Sequence, residues 1–519
     1  MTKLPIDQGQ LIKLWQQVRS SAEEQSKDFG DVALQYHLAK RFRLIEILDL
    51  AAGKRDQGVS VGLVTTLMAI HRNSDPGSKL SFLEWYPTTI LPELTGLPVE
   101  ELGYHDLLSS MDYWTDRAIG WAEADMTFKL GIDYHIGLHT LVWDSSSCYF
   151  DAQTNEIVKF GHSRDHRPDR PQIGTDLFID TDTGMVPYGR SYAGNVVDAT
   201  RFPVALEAFH KQYPYLEDIT LLLDRGPVSE ESLILLRSLG YSVIAGLPAK
   251  GQWASMIENA GPFEVRFNLK GTRWTARKEA VDVGEYEFFV HIYYNHKKGK
   301  KEGRLRQRAL KACRKELEGL RLGRYTLKTR EEIKTRVNAT LQKHKVKTFL
   351  KVKVVKPRGQ DQFHLEIAIR EPALSKAEKK DGRFALITDK KELTSKEVLI
   401  QYRSKEKAES AFAIIKGPVA LRPVFHYSPQ RIKAHVFICH LALFLRNLLD
   451  LLLKAKDIDL TPRKALKTSK KVRITQISFP QSEQAFWVLN KIDPDVQQIF
   501  DAVGLDSQQL LDAAGLSPP

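Results

Sequence analysis

Residues 400–416, IQYRSKEKAESAFAIIK, carry side chains with a chemical use at helical spacing. At about 100° per residue, Tyr402, Lys405, Glu409 and Lys416 fall within an arc of roughly 60°. Ala408, Ala411, Phe412 and Ile415 fill the adjoining arc, and Gly417-Pro418 closes the helix. A carboxylate at that boundary, flanked by an aromatic ring and two cations, suits a metal ion held next to a phosphate backbone. The same spacing also fits a solvated face with an ordinary i,i+4 pair between Lys405 and Glu409.

Two further acids stand out. Asp144 lies inside LHTLVWDSSSCYF, an otherwise apolar and hydroxylated strand, where a carboxylate is costly to bury unless a metal or hydrogen bonds offset it. Asp224 ends the apolar strand of ITLLLDRG, the edge at which α/β sheets open ligand crevices, although Asp is also a common turn former. Three carboxylates brought together can hold two divalent ions about 3.5–4 Å apart for in-line phosphoryl displacement. With hard oxygen donors and no soft site, Mg²⁺ is the expected cofactor and Mn²⁺ its substitute.

The elements that must position these residues change character along the chain. Residues 1–130 read as helices, with Asp75-Pro76-Gly77 as a turn and scattered cations at Lys40, Arg41, Arg43, Lys54 and Arg55. Plain helical packing fits them better than a helix-turn-helix, whose spacing is absent. From His139 the period becomes that of strands: LHTLVWDSSSCYF, GTDLFID and MVPYGR form an antiparallel meander. A helix follows, with Thr200 as N-cap and Val204, Leu206 and Phe209 facing inward, then ITLLLDRG, a helix from near Ser229, and the strand YSVIAGL. The order β-β-β-α-β-α-β is a mixed sheet covered by helices. Residues 250–395 break that rhythm and read as a small β-domain carrying two basic helical stretches, with Leu305, Ala309, Cys313 and Leu317 on one stripe and Ile333, Val337 and Leu341 on the other. The last forty residues, around AFWVLNKIDPDVQQIFDAVGL, read as short amphipathic helices.

Charge is unevenly placed. Net charge is +12, yet residues 297–358 alone hold 23 Lys and Arg against 5 Asp and Glu. That excess exceeds what solubility needs and points to phosphate-backbone contact. Lys464, Lys467, Lys470, Lys471 and Arg473 form a second basic cluster. The three cysteines, Cys148, Cys313 and Cys439, lack metal-type spacing and fit a reducing compartment. No signal-peptide-like segment opens the sequence, and the apolar run 434–445 is too short to span a bilayer, so a cytoplasmic, nucleoid-associated protein without a membrane partner is expected.

Tyr402, Lys405, Glu409 and Lys416 together resemble the Tyr-x2-Arg-x3-Glu-x6-Lys signature of bacterial insertion-sequence DDE transposases of the insertion-sequence-four type, with Lys405 where that pattern has arginine. Lysine keeps the charge but loses the bidentate fork. Asp144, Asp224 within DRGPVSEESL, and the block FGHSRDHRPDRPQ (160–172) are also similar to this class.

The resemblance implies an α/β fold with a ribonuclease-H-like catalytic core interrupted by an insertion. The similarity runs from about residue 40 to about 450, with 131–250 and 396–457 as the core and 251–395 as the β-rich insertion with basic helices; residues 1–130 are expected as an all-α region open to DNA-end binding and 458–519 as a helical tail open to dimerisation. Asp144, Asp224 and Glu409 would be catalytic and metal-binding, and Tyr402, Lys405 and Lys416 would grip DNA phosphates. The implied activity is Mg²⁺-dependent nicking at the ends of the element followed by strand transfer. The implied partners are double-stranded DNA, as terminal inverted repeats and target, and a second copy in a synaptic homodimer. A ribonuclease-H-fold endonuclease without strand transfer and a non-catalytic DNA-binding descendant are the rival readings. If the N-terminal helices read the ends, substituting their basic residues weakens binding to a terminal-repeat duplex more than to a random duplex; equal losses in a gel-shift titration would count against that role.

Overall fold

The structure, a computed structural model, describes residues 23–516 apart from 54–57, 151–153, 321, 323–326, 328, 357, 359–361 and 479–484. Lys54 and Arg55 therefore lie outside the described residues. The chain divides into two compact units, a discontinuous one of residues 1–219 and 405–519 and an inserted one of residues 220–404.

Strand β1 (Glu23–Asp28) opens the described part of the discontinuous unit, so the region expected to be all-α is not, because the late segment Arg473–Ser478 pairs with it; helices follow. Hydroxyl caps set several starts: Ser60 accepts from the Leu63 amide ahead of Val61–Ser74, and Thr115 from Ala118 ahead of Asp116–Tyr134. Next come β2 (Thr140–Tyr149), β3 (Gln172–Asp180) and β4 (Tyr188–Ala193), paired antiparallel with Asp144 opposite Leu177. β4 starts after Pro187, which lacks the amide a ladder needs. The following helix, Asp198–Gln212, begins ahead of Thr200: Val197 is its N-cap and makes no side-chain cap. Its inward stripe is Phe202, Leu206 and Phe209, and Val204 is 54% exposed because it falls outside that i, i+4, i+7 set. Phe202 meets Trp143 edge-on at 5.0 Å, and Phe209 stacks on Phe178 at 4.4 Å.

In the inserted unit, β5 (Thr220–Leu223) and β6 (Ser242–Gly246) run parallel and are joined by the helix Glu230–Ser238, which Ser229 caps. β7 (Val265–Leu269), β8 (Thr272–Val283) and β9 (Tyr286–Asn295) form an antiparallel meander. The hairpin β10 (Leu350–Val355) and β11 (His364–Ile369) stands apart from them. Strand β12 (Arg383–Thr388) pairs antiparallel with β6 on one side and β9 on the other, giving the order β5-β6-β12-β9-β8-β7. The strands from Val265 thus extend the β5–β6 sheet instead of forming a separate β-domain, and β12 is a connecting strand that the sequence pattern does not announce. The helices His296–Glu318 and Arg330–Lys343 share a core of their own with β10 and β11, built from Leu310, Cys313, Leu317, Ile333, Val337 and Leu341. Leu305, expected on that stripe, is exposed, and Leu310 takes the inward place.

One helix was expected over 400–416, and two form. Ser395–Arg403 ends the inserted unit, and Glu406–Lys416 resumes in the discontinuous one. Ser404 turns back at the break, its hydroxyl donating to the Gln401 carbonyl at 2.7 Å, so Tyr402 is on a different helix from Glu409 and Lys416. The helix Pro429–Lys454 is long and apolar enough to cross a membrane by length and composition, and most of its apolar stretch is buried. It continues through Arg446 because Arg446 Nε donates to Asn73 Oδ1 at 2.6 Å. At the end of the chain, β13 (Arg473–Ser478) pairs with β1 and with β14 (Ala485–Leu489). AFWVL is therefore a strand rather than a helix, and the helices Pro494–Val503 and Ser507–Ala513 follow it.

A buried cation gives this unit a measurable pH dependence. Lys79 is 8% exposed, and burial, with Arg72 adding repulsion, brings its ammonium down to about 7. The unfolded chain keeps that proton up to about pH 10.4, so unfolding takes up a proton between the two values and stability from this group rises with pH across that window. Urea unfolding from pH 7 to 10 should show Lys79→Met losing part of the rise seen in the native protein; identical slopes would refute the assignment.

Candidate active site

In the discontinuous unit the β2 pleat sends Trp143 toward the helix Asp198–Gln212 and Asp144 to the other face. The helix Glu406–Lys416 packs on β2. It covers the Asp144 face, because Cys148, four residues further along β2, feels the charges of Arg422, Asp165 and Lys416. Burial pushes the Cys148 thiol up to about 12, so it stays protonated. Asp144 is one-third exposed (33%), accepts from the Ser145 amide at 2.8 Å, and has Arg164 Nη1 3.7 Å from its Oδ1. Arg164 also pairs closely with Asp198, which accepts from the Ser145 hydroxyl at 2.6 Å. Glu409 is exposed, one turn into its helix, and Lys405 is the N-cap residue of that helix.

Arg164 belongs to the 160–172 block, whose first half is fixed at two points. At Gly161 a Cβ would lie 2.1 Å from the Gly194 carbonyl oxygen, so only glycine allows that approach. Four residues on, Asp165 is clamped between two cations: Lys416 Nζ donates to its Oδ1 at 2.9 Å, and Arg422 Nη1 lies 3.0 Å from its Oδ2. Arg422 also lies over the Tyr149 ring at 4.9 Å, with Arg167 over the same ring at 5.2 Å. Lys416 therefore holds the loop that carries Arg164.

In the inserted unit, Asp224 follows β5 and is exposed, and the Tyr402 hydroxyl donates to its Oδ1 at 3.0 Å. Tyr402 is buried, and its hydroxyl needs the space left at Gly246, the last residue of β6, where a Cβ would be 2.7 Å away.

The structure thus brings Asp224 to Tyr402, and it places the helix of Lys405, Glu409 and Lys416 over the strand of Asp144. Among the described residues no group of three or more His, Cys, Asp or Glu side chains is gathered as a metal site. The donors fit Mg²⁺ in kind, since all three are carboxylates that reach solvent and Asp144 already attracts a cation in Arg164. Arg164, Asp165, Asp198 and Arg422 were not singled out from the sequence. The first two lay inside the 160–172 block, whereas Asp198 and Arg422 reach the site only through chain folding and left no spacing signal.

No protein-family model matches the sequence, and no curated protein matches it. Among solved structures the chain is similar to the piggyBac transposase in a synaptic complex with hairpin DNA, at a TM-score of 0.39 and 8% identity over 96% of this chain and 88% of that one. A likeness of that size carries no weight for what this chain does.

The Gly246 contact is directly testable. Gly246→Ala should destabilise by about 1–3 kcal/mol, the usual cost of overpacking, and the loss should shrink in a Tyr402→Phe background that lacks the colliding oxygen. Additive losses in urea unfolding would show that the two residues do not meet.

Proposed function

We propose that this chain is a DNA transposase that nicks and joins DNA at the ends of its own element, acting on terminal inverted repeats and target DNA as a homodimer in a synaptic complex. The observation that carries the reading is the hydrogen bond from Tyr402 to Asp224 at 3.0 Å. Two residues singled out for chemistry in separate stretches, 178 positions apart, meet. The chain order β2-β3-β4, helix, β5, helix, β6 supports a ribonuclease-H-like core, with Asp144 in the middle of its first strand and Asp224 just past its fourth.

Asp144, Asp224 and Glu409 would hold Mg²⁺ or Mn²⁺. When bound, the ions would supply Lewis acidity to the attacking and leaving oxygens of a phosphodiester. The chain's own residues do the rest. Tyr402 fixes the orientation of the Asp224 carboxylate. Arg164, aimed by Asp198, presents a planar guanidinium beside Asp144 where a phosphate would lie. Lys405 adds a cation at the N-terminus of the Glu409 helix, whose amides also favour an anion. Lys416 acts through Asp165, holding the Arg164 loop in register with that helix.

The test is cleavage of a labelled duplex carrying the terminal repeat, with Mg²⁺ or EDTA. Glu409→Gln and Asp144→Asn should each lower nicking by more than about a hundredfold, the scale that loss of an outer-shell metal partner already reaches, with duplex binding retained. Nicking without joining would favour a plain endonuclease, and binding without Mg²⁺-dependent nicking in the native protein would favour a non-catalytic descendant.

A further inference from the structure

The helix His296–Glu318 presents a feature that the catalytic reading does not use. Lys297, Lys301, Arg304, Arg308, Lys311 and Lys315 recur at alternating steps of four and three residues, and all six are exposed. At about 100° per residue they fall within an arc of roughly 80°, and at 1.5 Å per residue they extend over about 27 Å. They form one straight row of cations.

Three cations off this row are paired with carboxylates: Lys298 with Glu302, Arg306 with Asp381, and Arg314 with Glu318, while Lys300 flanks the row. None of the six in the row has a carboxylate partner among the described residues. Glu316, on the same helix, is engaged by Lys343 and His344. Like charges at i,i+4 oppose helix formation, so the row works against its own helix unless an anionic partner offsets the repulsion. The opposite face, with Leu310, Cys313 and Leu317, is anchored in a local core, which gives the row a firm support.

We infer that this row is a binding surface for the sugar-phosphate backbone of duplex DNA, independent of base sequence. The inference rests on the reading of the chain as a DNA-handling protein, and not on the catalytic part of that reading. The length of the row is close to the roughly 34 Å helical repeat of B-DNA. Duplex is favoured over single strands because the helix carries no Phe, Tyr or Trp on which unpaired bases could stack. The six cations recur at regular spacing where a phosphate track would meet them, and four of the six are lysines, which act on phosphate as point charges.

The experiment is binding of a random-sequence 20-base-pair duplex by the full chain between 50 and 200 mM salt, without divalent metal. Each neutralised phosphate contributes about 0.9 to the slope of log affinity against log salt. The variant K301Q/R304Q/R308Q/K311Q should flatten that slope by about three to four, and Arg308→Gln alone, a change too small to unfold the helix, by about one. Exchanging the four lysines of the row for arginine should leave it unchanged. Unaltered slopes in the glutamine variants, or tighter binding of oligothymidine or of phosphatidylserine vesicles than of the duplex, would overturn the proposal. A lost slope in a protein that never nicks DNA would keep this surface and remove the transposase reading, whereas nicking with unaltered slopes would do the reverse.

Discussion

The carboxylate of Asp165, only 10% exposed, is held between Lys416 and Arg422. A buried acid is strongly disfavoured unless both its oxygens find cations or donors, and removing either partner of such a pair costs far more than the pair is worth. That constraint sets the register between two segments far apart in sequence. It ties the 160–172 loop to the end of the Glu409 helix, and through that loop it sets Arg164 against Asp144 and Asp198. In the proposed reading the lysine that closes the sequence signature contributes geometry, and Arg164, held through Asp165, would be the residue to meet a phosphate.

The inserted unit solves a comparable problem with fewer parts. A strand end gives Asp224 its exposure, a buried tyrosine gives it orientation, and the missing side chain at Gly246 gives the tyrosine room. The same unit carries the basic helix, where charges that would repel one another are kept together by an apolar face with its own core. In the proposed reading, catalytic positioning and backbone affinity would draw on different physical means, one on buried hydrogen bonds and the other on exposed charge. They should respond differently to salt: the first little, the second steeply.

Much of this was legible in the sequence where local chemistry decides. The strand around Asp144, the short strand before Asp224, the helix start near Ser229 and, Leu305 apart, the inward faces of the basic helices follow from period and capping. What escaped depends on long-range closure. β12 is an ordinary apolar hexapeptide until β6 and β9 take it up, and AFWVL is a strand because β13 is there to pair with it. The single helix over 400–416 failed at Ser404, whose hydroxyl competes for a backbone carbonyl in a way no apolar period reveals. Among the candidate site residues, the acids and Tyr402 stood out by residue type, and the meeting of Tyr402 with Asp224 did not follow from the one-helix spacing. Asp198 and Arg422 did not stand out, since each becomes meaningful only beside a partner brought in by the fold.

The central claim is that Asp144, Asp224 and Glu409 act on one divalent-ion site. Metal-directed backbone cleavage tests it most directly, with Fe²⁺ in place of Mg²⁺ and ascorbate and peroxide generating local radicals. The account predicts cuts close to all three positions, suppressed together by excess Mg²⁺ and together weakened by Glu409→Gln. Cuts near one acid alone, or cuts at Asp144 and Asp224 that Glu409→Gln leaves untouched, would contradict it.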